Sequence, residues 1–157
     1  MNDVAEVTLY IALLASSIVA GGQLFCLLAV IPAFGDWEPR FGVSVHQHAL
    51  TERPHRYLRV VSALTFIAAI AAIAIERSAD AAVWLTAAGA VLAIFNGVYS
   101  RREWPINDAI NKMGANPSEE QVVTYKRLRE RWDSQHVVRT VASLAALACF
   151  GAAATFF

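Results

Sequence analysis

The sequence predicts an all-α integral membrane protein, a single domain of residues 1–157 in which four transmembrane helices form a bundle. Three observations support this prediction. The chain is 57% hydrophobic and only 17% charged, whereas about a quarter of the residues of a soluble domain are charged. The charged residues avoid four long apolar stretches. Nearly all of the basic residues lie in or beside the two long links between those stretches.

The four apolar stretches are residues 7–34, 57–75, 81–100 and 137–157. A helix of about 20 residues crosses the hydrocarbon layer of a membrane, so each stretch is long enough for one span. We expect Pro32 and Gly35 to mark the end of the first span. The link of residues 76–80 is short, which makes the second and third spans antiparallel neighbours.

The distribution of basic residues predicts the orientation of the bundle. With four spans, the links of residues 35–56 and 101–136 lie on the same side of the membrane. Of the 13 Lys and Arg residues, all but Arg77 lie in or beside these two links. Because cytoplasmic loops are enriched in Lys and Arg, we expect both links in the cytoplasm and both termini outside it, in a cell membrane.

A short helix is predicted in the second long link. Pro105 opens it and Gly114 stands near its end. Ile106, Ile110 and Met113 share one face of such a helix. This amphipathic pattern is typical of a helix that lies in the membrane interface.

The fourth helix is predicted to be much longer than its span. Ser118 and Gln121 have the spacing of a capping box, and residues 119–150 contain no glycine or proline. One continuous helix is therefore expected from about Glu119 to the C-terminus. Its first half would form a long cytoplasmic extension.

The start of the fourth span holds a group of candidate functional residues. Helical spacing places four side chains on one face at the membrane boundary, namely Trp132, His136, Arg139 and Ser143. An arginine inside a span has to be paired, face the bundle or extend to the interface. Two interpretations stay open: an interfacial anchor, or a polar pocket at the cytoplasmic mouth of the bundle.

A second candidate group lies at the start of the short link helix. Glu103 and Trp104 precede its proline, and Asn107 and Asn111 share a face of the helix. The free backbone N–H groups at a helix start attract anions, so Asn107 and Arg139 could hold a carboxylate or phenolate between them. Alternatively, Asn107 only caps its own helix.

Polar side chains also occur inside the spans, notably Gln23, Asn96 and Tyr99. Hydrogen bonds between helices account for most such residues. The alternative is a pocket that reaches down from the cytoplasmic mouth and is lined by them.

Three histidines of the first long link are candidate metal ligands, namely His46, His48 and His55. Together with His136 they could bind Zn, Cu or Fe. A His-x-His pair on a helix points its two rings to different faces, however. The pattern therefore favours interfacial or solvated histidines, and no metal site.

Three segments combine a characteristic order, spacing and hydropathy. They are Trp104-Pro105-Ile106-Asn107-Asp108-Ala109-Ile110, then Arg131-Trp132, then His136-Val137-Val138-Arg139-Thr140-Val141-Ala142. These segments resemble the anthrone-oxygenase-like family of small four-helix membrane proteins, in which Pro-x-Asn is followed by a tryptophan segment and by Asn-His-x-x-Arg-Thr. Gln135 stands here in place of the family's Asn and keeps an amide. The resemblance spans most of the chain, including a first helix that ends in Ile31-Pro32.

The resemblance implies oxygenation of a polyketide anthrone to an anthraquinone, with molecular oxygen as co-substrate. In that reaction an acidic carbon is deprotonated and the carbanion meets oxygen. His136 would be the base, and Arg139 and Asn107 would orient the substrate or stabilise its anion. Trp132 and Trp104 would stack on the substrate. No cofactor is favoured, and a transition metal is the alternative.

A non-catalytic membrane scaffold or accessory subunit is the competing hypothesis. The predicted extension of the fourth helix carries a basic surface suited to a partner or to lipid headgroups, formed by Lys126, Arg127, Arg129 and Arg131. A net charge of zero and the lack of a nucleic-acid-binding motif argue against nucleic acid as a partner. The expected partners are a hydrophobic small molecule and the lipid bilayer, with a homo-oligomer left open.

Overall fold

The computed structural model describes residues 3–76, 80–114 and 116–156, without the side chains of residues 49–55. This part of the chain is helical and contains no strand. Four of its helical runs are long and apolar enough to cross a membrane, namely Asp3–Asp36, Arg56–Glu76, Ala81–Asn111 and Glu119–Ala154. The predicted all-α bundle of four membrane-spanning helices is confirmed.

The first helical run contains a proline without ending at it. Helix α1 (Asp3–Phe25) continues through a π-helical segment (Cys26–Val30) into α2 (Ile31–Asp36). Proline has no backbone N–H and clashes with the carbonyl one turn earlier. A wider π turn is one way in which a helix accommodates the missing hydrogen bond and the clash. The helix therefore continues past Pro32 and Gly35 and ends at Asp36. The sequence had predicted that Pro32 and Gly35 mark its end.

The first long link is also mostly helical. Helix α3 (Pro39–Val45) begins where the Glu38 carboxylate accepts a hydrogen bond from the backbone N–H of Phe41, at 3.1 Å. A second π-helical segment (His46–Thr51) leads directly into α4 (Glu52–Glu76). This link therefore places side chains of residues 41–48 over one end of the bundle.

The third span leads into the short link helix. Helix α5 (Ala81–Tyr99) is followed by a 3-10 turn (Ser100–Glu103) and by α6 (Trp104–Asn111). The apolar side chains of α6, Ile106 and Ile110, are buried against α3 and the next helix. The apolar face of α6 is thus covered by protein, whereas the sequence analysis expected it to face the membrane interface.

The fourth helix, α7 (Glu119–Ala154), is one continuous helix of 36 residues. The predicted capping box is present, since Ser118 Oγ accepts from the Gln121 backbone and the Gln121 side chain accepts from the Ser118 backbone. The first half of α7 does not project alone. Tyr125 and Trp132 are buried against Val43, Ile106 and Ile110.

The four spans pack through small side chains. Helix α1 contacts α4 and α7, and α5 contacts α4 and α7. Alanines dominate the largest buried cluster, in which Leu9 and Phe150 are the large side chains. Gly89 of α5 faces Phe150 so closely that an added Cβ would lie 2.8 Å from the ring. Close approach of this kind is typical of helices packed in a membrane. We call the end of the bundle that carries α2, α3 and α6 the link end.

Candidate functional site

A buried network of polar side chains joins three of the spans near the link end. Gln23 comes from α1, Asn96 from α5, and Arg139 and Ser143 from α7, and each is less than 7% exposed. Ser143 Oγ donates to the Arg139 backbone oxygen at 2.9 Å and accepts from Asn96 Nδ2 at 2.8 Å. In the amide orientation that satisfies its neighbours, the Gln23 oxygen accepts from Arg139 Nη2 at 3.1 Å and from Asn96 Nδ2 at 3.2 Å.

Arg139 is held by an ion pair as well as by these amides. Its Nη1 donates to Glu103 Oε2, and its Nε donates to Asn96 Oδ1 at 3.3 Å. Glu103 is fully buried in the 3-10 turn after α5. A guanidinium at this depth needs a carboxylate partner, because an unpaired buried charge costs several kcal/mol. The ion pair therefore fixes the direction in which Arg139 points.

A cavity of about 630 Å³ opens beside this network. One wall is polar and is formed by Gln23, Asn96, Asn107 and Arg139. Apolar side chains also line the cavity, namely Leu58, Ala63, Phe66, Ala93 and Ile94. A volume of this size lies in the range that holds a drug-sized small molecule. Arg139 and Asn107 thus meet in one cavity, as the pocket interpretation of the sequence requires.

His136 is bonded to the backbone of α1. Its Nε2 donates to the backbone oxygen of Gln23 at 3.0 Å, and the residue is 4% exposed. Its ring stacks on Trp132, with centroids 4.9 Å apart and planes 12° apart. Neither His136 nor Trp132 lines the cavity. The predicted site residues of α7 are therefore all buried, but only Arg139 reaches the cavity.

Asn107 is positioned by a histidine of the first link. His46 is fully buried, and its Nε2 lies 3.0 Å from Asn107 Oδ1. Since an amide oxygen only accepts, His46 is the donor. Aromatic rings surround the imidazole edge-on, with Trp132 at 5.5 Å and Tyr125 at 6.4 Å. The Asn107 side chain thus bonds to His46, whereas the simpler sequence interpretation had it capping its own helix.

The remaining candidates divide between the cavity and other surroundings. Trp104 and Asn111 line the cavity. Tyr99 lies against Phe95 with ring centroids 5.4 Å apart, and the Arg102 guanidinium stacks over it at 4.9 Å. Tyr99 therefore does not face the cavity.

The histidines do not form a metal-binding group among the described side chains. His48 is exposed, and its Nδ1 donates to the Ser44 backbone oxygen at 2.8 Å. No group of three His, Cys, Asp or Glu side chains able to hold a metal occurs in the described part of the chain. The side chain of His55 lies outside that part, so the metal hypothesis stays a prediction.

Several arginines have contacts that the sequence pattern did not predict. Arg129 is buried, pairs with Asp133 at 2.7 Å and stacks over Phe34 at 3.9 Å. Its spacing of four residues from Asp133 was the available signal. Arg56, Arg59 and Arg101 line the cavity. From the sequence, these arginines had served only as evidence for the unequal distribution of basic residues between the two sides of the membrane.

A comparison with protein families adds a decisive observation. The model of the anthrone oxygenase family matches residues 48–149, about two thirds of the chain. This chain belongs to the anthrone oxygenase family. The family assignment that the motifs suggested is confirmed. Neither a curated protein nor a solved structure matches the chain.

The family match covers most, but not all, of the site residues of this anthrone oxygenase family member. Arg139, Glu103, Asn96 and Asn107 lie within the matched residues, and Gln23 lies outside them. The assembled wall presents one guanidinium and several amides to a cavity that apolar side chains also line. Such a wall suits an aromatic molecule with an oxygen that carries, or develops, negative charge.

Proposed function

We propose that this anthrone oxygenase family member is a membrane-embedded oxygenase for a hydrophobic aromatic small molecule of the anthrone type. The observation that carries the proposal is the cavity that Arg139 and Asn107 line together with apolar side chains. Family membership supports an oxygenase-like role. Because spans of the bundle line the cavity, we propose that a hydrophobic substrate enters it from the bilayer.

The proposed reaction converts the methylene carbon of an anthrone to a carbonyl. The carbon loses two hydrogens and gains one oxygen atom from O2, and the second oxygen leaves with both hydrogens as water. Removal of the first proton leaves a carbanion whose charge spreads onto the ring oxygens. Arg139 and Asn96, which are buried at the cavity wall, would stabilise that oxyanion, since such contacts are stronger for buried groups than in water. O2 is the oxidant, and we favour a reaction without a further cofactor.

Two residues are candidates for the base. His136 was the candidate from the sequence, but it does not line the cavity and its Nε2 is bonded to the Gln23 backbone oxygen, so it would need a rearrangement to reach a substrate. Glu103 does not line the cavity either, but it is bonded directly to the Arg139 guanidinium, which does, and its Oε1 has no hydrogen-bond partner among the described residues. A substrate oxyanion that binds Arg139 would weaken the hold of Arg139 on Glu103. We favour Glu103 for this reason.

The test is turnover of anthrones by purified protein in nanodiscs, followed as anthraquinone absorbance and as O2 consumed. Arg139→Lys keeps a charge but loses the planar fork. We expect its kcat to fall about a hundredfold, the usual cost of losing one oxyanion donor. Arg127→Lys, on the exposed face of α7, is the matched control and should behave as wild type.

Two results would contradict the proposal. One is wild-type protein that consumes no O2 with any of a panel of anthrones. The other is an Arg139→Lys variant with wild-type kcat. His136→Gln separates the two base assignments. If His136 is the base, this variant loses turnover while it still binds product, and if Glu103 is the base, the variant keeps its turnover.

A scaffold role is the second candidate, and one observation favours it. Lys126, Arg127 and Arg131 form an exposed basic face on the first half of α7. Such a face can bind a partner or anionic lipid headgroups.

We also propose that the link end faces the cytoplasm of a cell membrane, with both termini outside, because the basic residues concentrate there.

A further inference from the structure

The mouth of the cavity is strongly basic. Arg56 and Arg59 of α4 and Arg101 of the 3-10 turn line it, and all three are exposed. We call these three residues the arginine rim. Asp108 is the acidic residue among the described residues that line the cavity. Its carboxylate pairs with Lys112 at 2.7 Å, so it does not neutralise the rim.

The charge of the rim is separate from that of the inner wall. Arg139 forms its ion pair with Glu103 deep in the bundle. Arg56 and Arg101 make no ion pair with a described residue. The cavity therefore carries an excess of positive charge at its mouth, in addition to the balanced ion pair at its inner wall.

The lining of α4 changes from basic to apolar along one face. Arg56, Arg59, Ala63 and Phe66 follow one another at intervals of three or four residues and all line the cavity. Ten residues of helix separate Arg56 from Phe66, or about 15 Å. A molecule that lies along this face therefore meets arginines at one end and an apolar wall at the other.

We propose that the cavity binds an amphiphilic anion, a largely apolar aromatic molecule whose acidic group lies in the arginine rim. The inference rests on the proposed function for the aromatic body, and it adds a carboxylate or similar acid as a recognised part of the substrate. Arginine suits this role because its planar fork holds a carboxylate with two parallel hydrogen bonds. A neutral anthrone would leave Arg56 and Arg101 without an ion pair to a described residue or to the substrate. The acidic group would thereby also set which end of the substrate faces Arg139.

The probes are an anthraquinone carboxylate and its neutral methyl ester, which are product-like and do not need to react. Binding of each to wild-type protein in nanodiscs of zwitterionic lipid is measured by titration. We expect the acid to bind at least about tenfold more tightly than the ester, since hydrogen bonds to charged groups are the strong ones. The preference should shrink as salt is raised, because the rim is exposed to solvent.

The variants test whether the rim causes this preference. In the double variant Arg56→Gln, Arg101→Gln, affinity for the acid should fall about tenfold or more, to nearly that of the ester. Arg102→Gln is the matched control. It removes the neighbouring exposed arginine, which stacks on Tyr99 and does not line the cavity. Acid binding by this control should equal that of wild type.

A lipid headgroup offers the same chemistry as the substrate acid, so a second arm uses nanodiscs with anionic lipid. If the rim serves lipid, acid and ester bind alike, and anionic lipid raises the Tm of wild type but not of the double variant. That outcome overturns the inference. Equal binding of acid and ester without a lipid effect also overturns it. An acid preference in a protein that turns over no anthrone would support the inference while contradicting the proposed oxygenase function.

Discussion

At the level of single residues, the candidate site depends on polar side chains that are satisfied by partners from other helices. Arg139 reaches Asn96 on α5 and Glu103 in the turn that follows it. Asn107 is held by His46 from the first link. Arg139 and Asn107 line the cavity, and Glu103 and His46, which hold them, do not. The cavity wall is therefore preorganised by contacts behind it.

The His46–Asn107 hydrogen bond leads to a prediction for a double-mutant cycle. His46→Ala should lower turnover, because it leaves the Asn107 amide without the donor that orients it. Asn107→Ala should lower turnover at least as much. If His46 acts through Asn107, the double variant should be no slower than Asn107→Ala.

The cycle is measured as kcat and KM in nanodiscs, with Tm as the control for folding. His48→Ala serves as the matched variant, since His48 is exposed and bonds only a local backbone oxygen. Additive losses in the double variant would show that His46 acts by a separate route.

At the level of helices, the close contact between α5 and α7 sets the geometry of the site. Asn96 lies on α5, and Arg139 and Ser143 lie on α7. Gly89 of α5 allows the two backbones to approach, because Phe150 of α7 fills the space where a side chain would stand. This contact lies farther from the link end than the polar network does. It therefore fixes the packing of both helices on that side of the network.

Gly89→Ala should destabilise the protein by about 1–3 kcal/mol, the usual cost of overpacking a core. The added Cβ would lie 2.8 Å from Phe150 Cε1, and Phe150 is fully buried. Denaturant unfolding in detergent, followed by circular dichroism, gives the free energy of unfolding. Gly151→Ala is the control, since a Cβ there meets no atom within 4 Å. A Gly89→Ala variant as stable as that control would refute this account of the contact.

At the level of the whole molecule, the two ends of the bundle differ in chemistry. The link end carries α2, α3, α6, the polar network and the arginine rim. Toward the opposite end, the core consists of alanines with Leu9 and Phe150. This asymmetry favours one orientation in a membrane with a cytoplasmic side.

Cysteine labelling tests that orientation. In a variant with Cys26 and Cys149 replaced by alanine, Glu120→Cys reports on the link end and Thr155→Cys on the opposite end. We expect a membrane-impermeant reagent added to intact cells to label Thr155→Cys but not Glu120→Cys. Both should react after the membrane is opened. Labelling of Glu120→Cys alone in intact cells would reverse the proposed orientation.

Much of the architecture could be predicted from the sequence because helix formation and hydropathy are local properties. The unbroken run after Ser118 and its capping box predicted α7 from Glu119 onward, and the structure agrees. Each of the four predicted spans lies largely within one of the four membrane-spanning runs. The motifs around Asn107 and Arg139 were enough to predict the family, because the order and spacing of motifs are properties of the sequence itself.

Tertiary structure alone decided which of these residues share a cavity. Arg139 and Glu103 are 36 residues apart, and His46 and Asn107 are 61 residues apart. Helical periodicity places Trp132, His136 and Arg139 on one face of α7, but that face is wide enough to meet two different neighbours. His136 turns to the backbone of α1, and Arg139 turns to α5 and the cavity. Local sequence sets the direction of a side chain on its own helix, whereas the packing of distant helices determines what lies in that direction.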